Sequence, residues 1–91
     1  MQVLNNFSQT ISVAINHWGS DGDTSFFAIT PGKAESWDRS DDRGFVMSVK
    51  VNGSQLPYFV QANDKIVVEE GGSPIPPYRV LANGRVLTPL S

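Results

Sequence analysis

The densest collection of side chains able to do chemistry lies in KAESWDRSDDRGF, residues 33 to 45. Seven of the sixteen acidic and basic residues of the chain fall within positions 33 to 43, around a single tryptophan, Trp37. An indole can pack against the CH face of a pyranose, and paired carboxylates and guanidinium groups can hydrogen-bond its hydroxyls. This stretch predicts a carbohydrate-binding surface. The alternative is that Trp37 belongs to the core and that the charges form surface ion pairs worth roughly 0–1 kcal/mol each.

A second polar loop, NHWGSDGDT, spans residues 16 to 24. Asp21 and Asp23 flank a glycine there, and His17 and Trp18 precede them. A D-x-D pattern in a glycine-rich loop can bind calcium, which takes about six to eight oxygen ligands. Only two carboxylates are local, however, and aspartates in such turns often bond their own backbone. We predict no cofactor and no metal site, and leave a calcium requirement open.

The residue types do not favour catalysis. The sequence has no G-x-S-x-G nucleophile elbow and no cysteine, which excludes disulfides and thiolate zinc sites. The single histidine, His17, excludes a histidine-rich metal site within one chain. Two of the nine acids could hydrolyse a glycoside, but a 91-residue β-domain leaves little room for a deep cleft. We therefore predict that the protein is not an enzyme.

Charge and length limit the partners further. The net charge is −2 and there is no basic stripe, so nucleic acid is not expected as a partner. The opening MQVLNNFSQT has neither a basic segment nor a long apolar run, and no stretch approaches the roughly 18 apolar residues of a membrane span. We expect a location in the cytoplasm, or release without a signal peptide. Because so short a chain has a thin stability margin, we also expect a homodimer.

Short strands must position these loops. TISVAIN and GFVMSVKV alternate apolar and polar residues, which is typical of half-buried strands, and no window shows helical spacing. Gly, Pro, Asn and Asp punctuate the sequence, so we predict an all-β fold, a small antiparallel β-sandwich or barrel of about seven to nine short strands with no substantial helix. Other strand candidates are QVLNNF, TSFFAI, LPYFV and DKIVVE. The predicted core comprises Val3, Ile11, Val13, Ile15, Phe27, Ile29, Phe45, Met47, Val49, Tyr58, Val60, Ile66 and Val68.

The chain is predicted to be one domain, residues 1–91, with a distinct C-terminal end. Asn83-Gly84 between two apolar runs is the strongest hairpin signal in the sequence, because both residues tolerate positive φ. The proline-rich stretch before it cannot be a central strand. We interpret 71–77 as a linker and 78–91 as a C-terminal hairpin.

The two polar loops are predicted to meet. If TSFFAI turns at Pro31-Gly32 and returns through ESWDR, the strand ends carry both loops on one side of the fold. Loops held by a rigid β scaffold are common places for binding sites.

The same region carries a family resemblance. The pattern is a W-G-x-x-G-D-T loop, a short strand, a P-G turn and then E-S-W-x-R-S-D-x-R-G-F-V. It resembles the family of the Lyophyllum decastes lectin. The members of this family are small, cysteine-poor mushroom proteins with relatives in plants. The resemblance covers about residues 10 to 69. The resemblance implies a fungal lectin that binds galactosyl sugars as a small dimer, without a catalytic step. It also implies a role in the defence of the fungus.

The resemblance does not assign the sugar contacts, so we choose them by chemistry. Shared motif positions are Trp18, Gly19, Gly22, Asp23, Thr24, Trp37, Arg39, Ser40, Asp41, Arg43, Gly44 and Phe45. Gly22 and Gly44 are expected to be backbone requirements of their turns. The predicted carbohydrate-binding residues are His17, Trp18, Asp21, Asp23, Trp37, Arg39, Asp41, Asp42 and Arg43.

Two other functions remain open at this point. The glycine–aspartate loop and the charged R-S-D segment are also faintly similar to aegerolysins, β-sandwich proteins of fungi that recognise membrane lipids. Such a protein should expose several aromatics, for which the candidates are Trp18, Phe26, Trp37 and Tyr78. Alternatively, the chain is a protein-interaction module that presents a strand edge of YRVLANGRVL.

Overall fold

The structure, a computed structural model, describes residues 1–17, 25–38, 43–72 and 76–90, and for His17 the backbone alone. Within these ranges the chain forms nine strands and no helix. The strands are β1 Gln2–Asn6, β2 Ile11–His17, β3 Phe27–Ile29, β4 Ala34–Ser36, β5 Phe45–Val51, β6 Ser54–Val60, β7 Lys65–Glu70, β8 Tyr78–Ala82 and β9 Arg85–Val86.

The strands form two sheets that enclose one core, which confirms the predicted all-β sandwich. The five-stranded sheet has the order β4-β1-β7-β8-β9, and the four-stranded sheet has the order β3-β2-β5-β6. Every pair is antiparallel except β1 with β7, which run parallel from Gln2 beside Lys65 to Asn6 beside Glu69. Two strands that are far apart in the sequence, β1 and β7, therefore lie side by side at the centre of the larger sheet.

The core follows the alternation of the strands. All of the predicted core residues are buried except Phe27, which is 51% exposed. The prediction for Phe27 was wrong because β3 is an edge strand whose inward side chain reaches the open rim of the sandwich. Buried apolar residues that the sequence reasoning left out of the core list are Phe7, Ala14, Trp37, Val51, Tyr78, Val80 and Ala82.

Two-residue Asn-Gly turns close two of the hairpins, both at places where the sequence predicts a turn. Asn83-Gly84 joins β8 to β9 with φ values of 53° and 85°, which confirms the hairpin expected there. Asn52-Gly53 joins β5 to β6 with 51° and 81°. The stretch 71–77 joins β7 to its neighbour β8, and the Gly71 N–H donates to the Pro77 carbonyl at 2.9 Å. The C-terminal hairpin is thus part of the five-stranded sheet.

The hairpin expected between TSFFAI and ESWDR does not form. β3 pairs with β2, whereas β4 pairs with β1 in the other sheet. The Pro31-Gly32 turn therefore crosses from one sheet to the other. On this side of the sandwich β3 and β4 are the two edge strands, and β6 and β9 are the edges on the other side.

Buried Asn5 anchors the crossover. Its Nδ2 donates to the carbonyls of Ile29, at 2.7 Å, and Gln9, at 2.9 Å, and its Oδ1 accepts from the Phe7 N–H at 2.8 Å. The Gly32 N–H also donates to the Asn5 carbonyl at 2.7 Å. One fully buried side chain on β1 thereby holds the end of β3, and with it the two edge strands, in place.

The C-terminal segment, residues 87–90, covers the side of the sandwich opposite to β3 and β4. The Leu87 N–H donates to the Val80 carbonyl and the Leu90 N–H to the Pro57 carbonyl, both at 2.8 Å. The segment thus passes from the β8–β9 side of one sheet to the β6 edge of the other. Pro57 fits an edge strand because it has no N–H to offer a further strand.

Candidate functional site

Several strand ends and turns meet at one end of the sandwich. In the four-stranded sheet the last residue of β2, His17, pairs with the first residue of β5, Phe45. Phe45 also pairs with Val60, the last residue of β6. The stretch 18–24 therefore follows a strand end, that of β2, which lies beside the start of β5. The stretch 39–42 comes shortly before that start in the sequence. Both loops lie outside the described residues, so their meeting on one side stays a prediction, and the β3–β4 hairpin that was to produce it is absent.

The turn at residues 61–64 brings the other sheet to the same end. The Asp64 Oδ2 accepts from the Gln61 N–H at 2.8 Å, and its Oδ1 accepts from Asn83 Nδ2 at 3.0 Å. The Gln2 N–H donates to the Asp64 carbonyl, and the Lys65 N–H donates to Asn83 Oδ1. Both oxygens of the Asp64 carboxylate are thus engaged within the fold, and its role is to fix the turn.

Trp37 is a core residue. Its N–H and carbonyl both bond the backbone of Met1, at 2.9 and 3.1 Å, so the β1–β4 ladder continues one pair beyond the strands. Only 9% of its surface is exposed. This burial corrects the expectation of an open indole face for a sugar and favours the core alternative. Trp37 instead supports the ring of Phe27, whose centroid lies 6.0 Å away in an edge-to-face arrangement.

Two depressions adjoin Trp37. We call the larger, of about 570 Å³, the N-terminal groove, and the smaller, of about 170 Å³, the edge slot. The groove is lined by Met1, Gln2, Ser36, Trp37, Asp38, Asn63, Asp64 and Lys65. The edge slot is lined by Phe27, Glu35, Ser36 and Trp37 and lies where β3 and β4 border the sandwich.

Glu35 lies on the core-facing side of an edge strand but is exposed at the rim of the sandwich. It pairs with Val3, whose side chain is fully buried, so the two side chains lie on the same, core-facing side of the sheet. No hydrogen bond or ion pair joins the Glu35 carboxylate to another residue within the described ranges. An inward charge on an edge strand also discourages pairing with other chains. Here the same charge supplies a hydrogen-bond acceptor to the edge slot.

Phe27 provides the apolar wall of the slot. It pairs with the buried Val13, so its side chain also faces the interior, and yet half of its surface is exposed because no strand lies beyond β3. An exposed phenyl ring and an unengaged carboxylate thus share one small depression. A ligand with one apolar face and several hydroxyls matches this combination.

The sequence reasoning missed this pair. Phe27 was assigned to the core, and Glu35 was counted only among the charges of its segment. A usable signal was present in AESW, where Glu35 and Trp37 occupy alternate positions and so share one face of a strand. What the sequence did not indicate is that this strand lies at an edge.

Most of the predicted contact residues lie outside the part of the chain that the structure describes. Of the nine, Trp37 is buried, Arg43 is exposed just before Gly44, and His17 ends β2 with its backbone alone described. The assignment of these residues to sugar binding stays a prediction. The six that lie outside the described residues are Trp18, Asp21, Asp23, Arg39, Asp41 and Asp42.

Gly44 is required by the backbone conformation of its turn, as the sequence predicts. Its φ is +88°, and a Cβ there would lie 2.6 Å from the ring of Phe59 and 3.1 Å from the Val60 carbonyl. Both the conformation and the space therefore require glycine. Gly22, for which the same role was expected, lies outside the described residues.

The described ranges contain no group of three His, Cys, Asp or Glu residues that could hold a metal ion. The part of the chain that the structure describes also has no helix long and apolar enough to cross a bilayer.

Comparison of the chain with family models, curated proteins and solved structures finds no match.

Proposed function

We propose that the protein is a lectin that binds carbohydrate without a catalytic step, and that the edge slot is the centre of its binding site. The observation that carries the proposal is the pairing of an exposed phenyl ring, Phe27, with the carboxylate of Glu35, which no described residue engages, in one depression. A pyranose has an apolar CH face and a rim of hydroxyl donors. The ring covers the face, and the carboxylate accepts from the hydroxyls in charge-assisted hydrogen bonds.

The slot is shallow, and this limits the affinity. Its volume of about 170 Å³ suits one small ring and not a long chain of sugars. We therefore expect single-site dissociation constants between roughly 1 mM and 1 μM, or about −4 to −8 kcal/mol. Weak sites gain useful strength when two or more act on the same surface.

The choice of galactosyl glycans rests on the resemblance of residues 10 to 69 to the mushroom lectins. The charged stretch 38–43 supports it only in part, because Asp38, which follows Trp37 of the slot, and Arg43 are exposed whereas the residues between them lie outside the described structure. We assign these flanking residues the role of selecting the sugar.

The aegerolysin-like alternative has less support. Of the four aromatics that a lipid-binding surface would expose, Trp37 and Tyr78 are buried at 9% and 3% exposure. Phe26 is half-buried, and Lys50 Nζ lies 5.7 Å from its ring centroid. The strand-edge alternative proposed for YRVLANGRVL corresponds to β9, the edge of the five-stranded sheet, but no binding chemistry there identifies a protein partner.

A glycan array followed by calorimetry with the best-binding sugar tests the proposal. Phe27→Leu removes the ring face but keeps an apolar side chain, and Phe27→Tyr keeps the face. We expect about 3- to 10-fold weaker binding for Phe27→Leu and nearly unchanged binding for Phe27→Tyr. Glu35→Gln should weaken binding about 10-fold or more, because a charge-assisted acceptor becomes a neutral one.

Phe59→Leu serves as the matched control, since Phe59 is also exposed but points from β6 away from the core. It should leave the sugar affinity unchanged. A blank array at high protein concentration contradicts the lectin proposal. An array with hits but with equal affinities for Phe27→Leu, Glu35→Gln and the parent chain keeps the lectin and moves the site away from the slot.

A further inference from the structure

A row of apolar side chains crosses the whole outer face of the five-stranded sheet. The strand registers align Ala34 with Leu4, Leu4 with Val67, Val67 with Leu81, and Leu81 with Val86. The row thus has one member on each of β4, β1, β7, β8 and β9. None of the five belongs to the core cluster. Leu4, Val67 and Leu81 alternate with buried neighbours along their strands, whereas Ala34 and Val86 lie on the two exposed edge strands.

The row is exposed to different degrees. Val86 is 59% exposed and Ala34 is also exposed, while Leu4, Val67 and Leu81 are half-buried by their neighbours in the sheet. Polar rows flank it on both sides. Gln2 and Lys65 lie next to each other on one side, and Asn6 and Glu69 do so on the other. A continuous apolar band with a polar rim is the pattern of an association surface.

We propose that a second copy of this chain packs on this face, with the apolar rows in contact and with a two-fold axis running along the row. The charges on β7 favour a second copy of the chain as the partner, because they are complementary to themselves when the two-fold axis runs along the row. Lys65 and Glu69 lie two residues to either side of Val67 on the same face. An axis along the row sets Lys65 of each copy against Glu69 of the other, whereas an axis along the strands sets Lys65 against Lys65.

Glu69 remains available to a second copy. Its Oε2 accepts from Arg79 Nε at 2.6 Å within the chain, but its side chain is 27% exposed. A carboxylate has about four lone-pair sites, so one Arg does not saturate it.

The size of the face indicates a weak dimer. Five strands spaced by about 4.8 Å and about five residues of 3.4 Å give a flat area of roughly 400 Å² per copy. This is below the roughly 800 Å² per partner of a standard stable interface. We therefore expect a dissociation constant of about 1–100 μM, so that the dimer forms and dissociates within an accessible concentration range.

This symmetry has a consequence for the edge slot, which depends on the proposed function. An axis along the row stacks β4 of one copy over β4 of the other, so both slots open on the same side of the dimer. With sheets packed about 10 Å apart, the four layers place the two slots about 20 Å apart. Both could then engage neighbouring glycans on one surface.

Sedimentation equilibrium over about 1 μM to 1 mM, without sugar, tests the interface separately from sugar binding. We expect the mass to rise from the 9.9 kDa of one chain toward twice that value. Val67→Asp places two carboxylates against each other on the axis and should raise the dissociation constant at least tenfold. Val46→Asp on β5, a half-buried valine on the outer face of the other sheet, is the matched control and should dimerise as the parent chain does.

A charge exchange tests the axis. Lys65→Glu and Glu69→Lys should each raise the dissociation constant at least tenfold, and the double variant should restore it to within about threefold. Thermal melting of each variant shows whether the fold persists, which matters because Glu69→Lys also removes the pair with Arg79. A parent chain that stays monomeric at 1 mM, or equal association by Val67→Asp and Val46→Asp, overturns the interface. A double variant as weak as the single ones overturns the axis.

Discussion

Asn5 shows how much one side chain can fix in a small sandwich. Three of its hydrogen-bonding positions are filled by backbone groups of Phe7, Gln9 and Ile29, and none of its surface is exposed. Asn5 joins the β1–β2 turn to the edge strand that carries Phe27. We infer that the shape of the edge slot depends on this buried amide.

Asn5→Ala should therefore lower the free energy of unfolding by about 2–4 kcal/mol, because it leaves two backbone carbonyls and one N–H without their partner. Asn6→Ala is the matched control, one residue along the same strand and exposed, and should change it by less than about 0.5 kcal/mol. Urea unfolding monitored by tryptophan fluorescence gives both values. Equal effects of the two substitutions would contradict the anchoring role.

The sequence predicted the burial of most residues but not the exposure at the rim. Alternation identifies which side chains share a face, and it did so for Val13, Ile29 and Val49. It cannot tell whether a face continues under a neighbouring strand, and this is why Phe27 was misassigned. The two explanations weighed for Trp37 differ only in tertiary environment, so the sequence could state both but not decide between them.

The strands and turns carry a different kind of information. A two-residue Asn-Gly turn acts locally, so Asn83-Gly84 was predictable from the sequence. The crossover at Pro31-Gly32 was not, because a P-G turn fits both a hairpin and a change of sheet. The parallel pairing of β1 with β7 joins segments about sixty residues apart, and no local pattern encodes that register.

Gly44 allows two costs of a tight turn to be separated. Gly44 and Gly32 have nearly the same φ, +88° and +84°, but a Cβ at Gly32 meets nothing within 4 Å. Gly32→Ala should cost about 1–2 kcal/mol from conformation alone. Gly44→Ala should cost about 1–3 kcal/mol more, because the added methyl displaces the ring of Phe59.

Denaturant unfolding of the two alanine variants tests this difference, and a Phe59→Ala background sharpens it. In the Phe59→Ala background, Gly44→Ala should lower the free energy of unfolding by about as much as Gly32→Ala does, because most of the steric conflict is gone. If the cost of Gly44→Ala stays the same in both backgrounds, the ring is not the obstacle and the Val60 carbonyl is.

At the scale of the whole molecule, the two sheets share a pair of tyrosines across the core. Tyr58 lies on β6 and Tyr78 on β8, and they are the only tyrosines of the chain. Burial, with the neighbouring Tyr78, raises the pKa of Tyr58 well above its usual 10, and burial also raises the pKa of Tyr78. The neutral phenols are therefore the form that the sandwich accommodates.

This predicts a loss of stability in alkali. A tyrosine whose pKa is higher in the folded state contributes its full stabilisation below pH 10, the value for the unfolded chain, and loses it as the pH rises toward the folded value. The free energy of unfolding should fall above about pH 10, by up to about 1.4 kcal/mol per pH unit for each tyrosine. Urea titrations between pH 8 and pH 12 measure the slope.

Tyr58→Phe is the control for the alkaline loss, because it should remove one of the two contributions and reduce the slope. Tyrosinate absorbance should appear together with unfolding and not before it. The Tyr78 hydroxyl is buried without a hydrogen-bond partner within the described residues, so Tyr78→Phe should also be nearly neutral at pH 7. Ionisation of both tyrosines in a folded chain would contradict their burial.

The central position of β1 has a consequence for how the chain folds as it is made. Every strand of the four-stranded sheet lies within residues 11–60, whereas β1 needs β7, which begins at Lys65. At about 5–20 residues per second, the first strand to leave the ribosome waits roughly 3–12 s for that partner. Through this interval the edge of β1 that pairs with β7 stays uncovered, although its other edge can pair with β4 once residue 36 has been made. The earliest strand is thus among the last to be ordered, and we expect the nascent chain to be most prone to aggregation until the larger sheet closes around it.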